Sequence, residues 1–160
     1  MRKQVTQEDK IQVGWREWLA LPELGISWLE AKIDTGAKTS ALHAYTLNYF
    51  ESDVLAYVSF DLHPNRHDTN HSVACQAQVI DQRVVSDSGG HKEKRYVIRT
   101  PVQIAGQLWP IEITLTNREN MAYRMLLGRE AMRGRLIVDP QAAYLLGQPR
   151  LKPNIYKDTL

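Results

Sequence analysis

The chain has 160 residues, 43% hydrophobic and 24% charged, the balance of one globular domain whose core needs no disulfide or metal staple. Its 20 basic and 18 acidic residues leave a formal charge of +2, and no long basic run occurs, which argues against a nucleic-acid or membrane partner. The single cysteine, Cys75, excludes an internal disulfide framework and the multi-cysteine zinc motifs. Residues 1–12 are polar with no apolar h-region, and no apolar run reaches the roughly 20 residues of a membrane span. These features predict a cytoplasmic protein with a flexible amino terminus over 1–12, one domain over 13–147 and a tail over 148–160.

In chain order the pattern is mostly that of strands separated by closely spaced turn signals. Val13 to Leu19 and Ile26 to Ile33 are predicted strands, joined through Pro22 and Gly25. In the second strand Leu29, Ala31 and Ile33 share one face, and Trp28, Glu30 and Lys32 the other. Val54 to Asp61 is predicted as a strand with Val54, Ala56, Val58 and Phe60 inward. His63 to His71 is polar, contains Pro64, and reads as a loop. Val73, Cys75, Ala77 and Val79 alternate with polar residues, which puts Cys75 on a core face. Arg83 to Val85 and Arg95 to Arg99 flank a tip at Ser88-Gly89-Gly90-His91, a hairpin signal, and a second hairpin turns at Ala105-Gly106-Gln107. Arg129 to Arg133 is the best short-helix segment. Leu136 to Val138 and Ala142 to Leu146 are predicted to close the domain as strands. The class is mainly β with one short C-terminal helix, and a strand-rich chain of this size predicts a closed β-barrel.

Two phrases carry chemistry. The first is Asp34-Thr35-Gly36-Ala37, entered by the apolar strand Leu29-Glu30-Ala31-Lys32-Ile33; the second is Met125-Leu126-Leu127-Gly128-Arg129. A carboxylate at a strand end, followed by a small hydroxyl residue and glycine, is the way aspartic peptidases present their acid. That chemistry needs two carboxyl groups sharing a proton about a water, because like charges about 3 Å apart cannot both ionise. Only one convincing Asp-Thr-Gly occurs, so such a mechanism requires Asp34 of a second subunit, in a symmetric homodimer. Asp87-Ser88-Gly89 has the same spelling but lacks the apolar residues that should follow, and reads as a hairpin tip.

The two phrases resemble the paired signature of retropepsins. With Gly14-Trp15-Arg16-Glu17-Trp18, Lys38-Thr39-Ser40-Ala41-Leu42-His43-Ala44, Arg95-Tyr96-Val97-Ile98 and Val138-Asp139-Pro140, they are similar to a RimB-like bacterial family, also labelled as ATP-dependent zinc proteases. Members often neighbour ATP-grasp glutamate ligases of the RimK type. The resemblance implies a retropepsin-like (acid protease) barrel and an aspartic peptidase or amide hydrolase, with Asp34, Thr35 and Gly36 catalytic. It places Ala37, Lys38, Ser88, Gly89, Gly90 and Arg95 against a peptide or protein substrate, and gives Gly128 and Arg129 structural roles. The alternative reading is a non-catalytic module of the same fold that binds an acidic peptide or a partner protein. No His-Glu-x-x-His and no Gly-x-x-x-x-Gly-Lys loop is present, so neither zinc nor ATP is expected as a cofactor. His63, His67 and His71 read as solvated histidines. Lys38 stands where retroviral proteases usually carry an acid, so Arg129 needs another acceptor. Lys38 either pairs with Glu130, stays solvated, or faces the cleft, where it would attract acidic or glutamylated substrates.

Overall fold

A computed structural model describes residues 9–86, 89–117 and 122–149. Its elements, in order, are β1 (Ile11–Val13), β2 (Arg16–Leu21), a 3₁₀ turn (Pro22–Leu24), β3 (Ile26–Ile33), β4 (Ser40–His43), β5 (Tyr45–Ser52) and β6 (Leu55–Leu62). Then follow β7 (Val73–Ser86), β8 (Lys92–Ile104), β9 (Gln107–Thr116), β10 (Met125–Leu127), α1 (Arg129–Met132) and β11 (Leu136–Val138). β1 and β11 form a small parallel pair; the other nine strands make one sheet in the order β2-β3-β10-β4-β9-β8-β7-β6-β5.

The expected closed barrel is corrected by this order. The two ends of the sheet, β2 and β5, do not pair with each other, and β2 pairs with β8 only at Ala20↔Gln103. The reason lies in β7. Its first half pairs with β6 and its second half with β8, with a register break between Val79 and Asp81. Such a bulge bends and twists the strand, and β6 and β5 continue the sheet beyond β7 without pairing with β2.

Alternation predicts the core well where one face meets solvent. Leu29, Ala31 and Ile33 are buried, as are Val58, Phe60 and Cys75, and all belong to a single apolar cluster with Leu19, Leu42, Ile113, Met125 and Leu127. Burial pushes the Cys75 thiol up to about 12, so it stays protonated as a small core side chain. Val54, expected inward, is instead fully exposed in the β5–β6 turn after Asp53, whose φ is 58°. The β8–β9 hairpin turns at Ala105 and Gly106, both at positive φ (52° and 76°), the type I′ geometry that matches strand twist.

The predicted strand at Ala142–Leu146 does not form. Two of its backbone donors are taken by a carboxylate: Leu145 and Leu146 N–H donate to Glu17 at 2.9 and 3.1 Å, and Gly14 N–H donates to the same group at 2.7 Å. Glu17 is buried, and its carboxylate ties the chain's closing segment to the start of β2.

Candidate functional site

Asp34 follows the last residue of β3, where β10 lies parallel to that strand with Leu127 opposite Ile33. The Asp34 N–H donates to the Leu127 carbonyl at 2.9 Å, and its Oδ1 accepts the Gly36 N–H at 3.0 Å. The loop beyond is held from the other side by the β10–α1 junction. Gly128 N–H donates to Ser40 Oγ (2.9 Å), Arg129 N–H to the Ala37 carbonyl (2.7 Å), and Glu130 N–H to the Lys38 carbonyl (3.0 Å). The Arg129 guanidinium donates to the Thr35 carbonyl at 2.9 Å, the acceptor that replaces the missing acid. The two sequence phrases therefore grip each other through backbone.

This loop forms part of the wall of a cavity of about 1350 Å³. Asp34, Gly36, Ala37, Lys38 and Arg95 line it, joined by Arg83, Val84, Val85 and Ser86 of β7, Arg99 of β8, Glu112 and Thr114 of β9, and Glu130. Among the predicted site residues, Thr35 is exposed and contributes its carbonyl to the loop, and Gly89 and Gly90 are exposed and absent from the lining. Ser88 lies outside the described residues. The hairpin thus reaches the cavity through the body of β7 and not through the described glycines of its tip.

Arg83, Arg99 and Glu112 are the charged groups that motif reading missed. A period-two step from Arg95 arrives at Arg99 on the same face of β8, and the register sets Arg99 opposite Glu112 and Arg83 opposite Arg95. Arg83 donates to Asp81 at 2.7 Å and to Glu112 at 2.9 Å; these bonds, the Glu112 one foremost, raise its pKa. Buried Arg95 pairs with Glu93 at 3.0 Å and donates to Thr114 Oγ1 at 3.3 Å. Glu130, expected to pair with Lys38, pairs with Arg133 at 3.2 Å. Among the described residues, Lys38 and Arg99 have no carboxylate partner.

Of the three histidines expected to be solvated, His67 is exposed and the other two are not. His71 is 3% exposed, and half-buried His63 stacks on Tyr45 at 4.4 Å between ring centroids. Behind them the Arg124 guanidinium donates to His43 Nδ1 at 3.2 Å and to the Tyr45 hydroxyl at 3.1 Å. Burial above all, then the charge of Arg124, lowers the pKa of His63; Asp61 opposes this and His71 adds to it. His63 is neutral in the fold and accepts a proton more readily once unfolded. Stability should therefore fall as pH drops below the ordinary imidazole value of about 6.5, until the folded-state value is passed. Urea midpoints at pH 7.5 and 5.5 should differ less for His63→Asn than for the wild type; equal differences would refute this assignment. Among the described residues no group of three or more His, Cys, Asp or Glu side chains is arranged to hold a metal.

Comparison with known proteins corrects the activity read from the motifs. A protein of Desulfotalea psychrophila described as "Probable alpha-L-glutamate ligase" is 48% identical over 136 residues, 85% of this chain and 29% of its own length. One of Shewanella halifaxensis with the same description is 44% identical over 141 residues, 88% of this chain and 31% of its own length. The chain thus spans about three-tenths of these curated relatives. A crystal structure of a Legionella pneumophila protein of unknown function superposes with a TM-score of 0.70 at 25% identity, over 84% of this chain and 97% of that one. Identification as a retropepsin-type peptidase gives way to these ligase relatives, and so does the homodimeric hydrolysis drawn from it. Within one chain, Asp34 is the sole aspartate among the described residues lining the cavity. What remains of the resemblance is membership: a family model described as "Retropepsin-like aspartic endopeptidase RimB" matches residues 12–149, and the chain belongs to that RimB-like family, as a segment shared with proteins described as α-L-glutamate ligases.

Proposed function

We propose that this chain serves α-L-glutamate ligation, as the part of such a ligase system that holds glutamate-bearing substrate. The observation that carries the reading is identity of 43–48% to proteins described as α-L-glutamate ligases, over 85–88% of this chain. The cavity supports it chemically. Its walls carry Lys38 and Arg99 with no carboxylate partner among the described residues, and a concave site with unoffset cations concentrates anionic substrates. The nucleotide-dependent step falls, in this reading, to the further length that the relatives possess.

The test is a segment exchange. This chain replaces the matching segment of the Shewanella halifaxensis relative, and ATP-dependent incorporation of labelled glutamate is compared with that of the unaltered relative. Incorporation should persist in the chimera and fall at least tenfold when Lys38→Met and Arg99→Met are combined, as expected for lost charge-assisted contacts. A chimera that folds but no longer incorporates glutamate, or a double variant as active as its parent, would overturn the reading.

A further inference from the structure

A second cluster of polar groups lies at the opposite end of β4 and β10 from the Asp34 loop. Arg124, which precedes β10, is 7% exposed, and its carbonyl accepts the His43 N–H at 2.8 Å where β4 ends. Tyr45 opens β5, and His63 lies in the loop between β6 and β7, with His71 close enough to act on its charge. None of these residues lines the cavity. The Arg124 Nη1 donates to His43 Nδ1 at 3.2 Å and to the Tyr45 hydroxyl at 3.1 Å. A guanidinium can only donate, so that imidazole nitrogen is unprotonated and both acceptors are neutral. Nε is buried as well, and no group among the described residues accepts its proton. Asp61 of β6 acts on the charge of His63, yet neither it nor another described carboxylate forms an ion pair with Arg124. A buried cation among neutral groups is costly unless an anion meets it. His63 brings a second group: its Nδ1 is buried and makes no hydrogen bond among the described residues.

We propose that Arg124 and His63 form a binding site for a small inorganic oxyanion of the phosphate or sulfate class, separate from the cavity. Nη1 is occupied by His43 and Tyr45, which leaves the guanidinium edge shared by Nε and Nη2, the edge that holds two oxygens of an oxyanion in a fork. Tyr45 brings the two donors together: its hydroxyl accepts from Arg124, and its ring stacks on His63 at 4.4 Å between centroids. The guanidinium is too enclosed for a bulky ester, so the ligand is the free ion. The site is independent of the ligation reading.

Titration with sodium sulfate at constant ionic strength, chloride being the balancing anion, tests this through the Arg124 side-chain Nε–H resonance of the isotopically labelled chain. That resonance should shift saturably with sulfate, together with the backbone amides of His43 and His63. His63→Phe keeps an aromatic ring on Tyr45 and removes the nitrogen; it should weaken binding on the order of tenfold, and Arg124→Met should abolish it. Arg99→Met, in the cavity wall, should leave sulfate binding unchanged, so this site and the ligation reading fail separately. Shifts that follow ionic strength alone, wild-type affinity in His63→Phe, or binding lost in Arg99→Met would overturn the site. An Arg124 Nε–H resonance unmoved by sulfate would overturn it in favour of a bound water as the missing acceptor.

Discussion

Gly128→Ala should destabilise the fold by about 3 kcal/mol and weaken binding of anionic ligands in the cavity. The backbone of Gly128 is ordinary for any residue, with φ −89° and ψ 172°, so the requirement is for space. A β-carbon there would lie 2.6 Å from the Thr39 carbonyl carbon and 2.8 Å from the Ser40 nitrogen. Both are backbone atoms of the loop and strand that follow Asp34 and Lys38, and neither can swing aside as a side-chain end could. Relief requires β10 and α1 to separate from that loop, stretching the Gly128 N–H to Ser40 Oγ bond and the neighbouring backbone bonds to Ala37 and Lys38. A urea midpoint indistinguishable from that of the wild type would show that the two phrases do not interlock as described.

Glu17→Ala should cost a comparable amount, about 3 kcal/mol, through polar groups instead of volume. The Glu17 side chain is buried, and its carboxylate accepts three backbone N–H bonds, from Gly14, Leu145 and Leu146. Alanine leaves all three donors without this acceptor. No strand ladder covers residues 142–146; besides the Glu17 carboxylate, they are held by the Trp15 N–H to the Ala142 carbonyl at 2.8 Å and the Tyr144 N–H to the Arg16 carbonyl at 3.0 Å. The same segment places Tyr144, at φ 57°, where its hydroxyl donates to Glu30 and its ring lies 4.6 Å from the Arg16 guanidinium carbon. Amide exchange should accelerate selectively at Gly14, Leu145 and Leu146 along with the lowered midpoint. Unchanged protection at those three amides would contradict the assignment.

These two residues mark what could and could not be read in advance. Gly128 stood out because its phrase, apolar-apolar-Gly-Arg, resembles the second half of the retropepsin signature; its close backbone approach emerges only in the structure. Glu17 did not, because no local pattern announces that a strand carboxylate will serve amides 128 and 129 residues away. The same split runs through the fold. β3, β6 and the first half of β7 show their alternation because one face meets solvent. β4 was missed because Ser40, Ala41, Leu42 and His43 are all buried, between β10 and β9, and a strand covered on both faces shows no period of two. β5 was missed altogether; Thr46 near its start has φ 54°, the pairing with β6 shifts register, and most of the strand is exposed on both faces. The barrel failed for a related reason, since a register break such as that at Val79–Asp81 leaves no compositional trace.

The candidate site divides similarly. Asp34, Gly36, Ala37 and Lys38 are contiguous and were legible from one motif, whereas Arg99 and Arg83 enter only through cross-strand register. The motif also led to the wrong chemistry. A strand-end aspartate followed by Thr-Gly specifies a loop geometry, here a carboxylate held by the Gly36 N–H, and that geometry does not by itself fix a reaction.

The most direct measurement is NMR shift mapping of the isotopically labelled chain on titration with tetra-α-L-glutamate. The account predicts saturable shifts centred on the amides of Gly36, Ala37 and Lys38 and on the β8 and β9 segments around Arg99 and Glu112, diminishing as salt is raised. Shifts clustered elsewhere, or none at millimolar peptide, would contradict the claim that this cavity holds glutamate-bearing substrate.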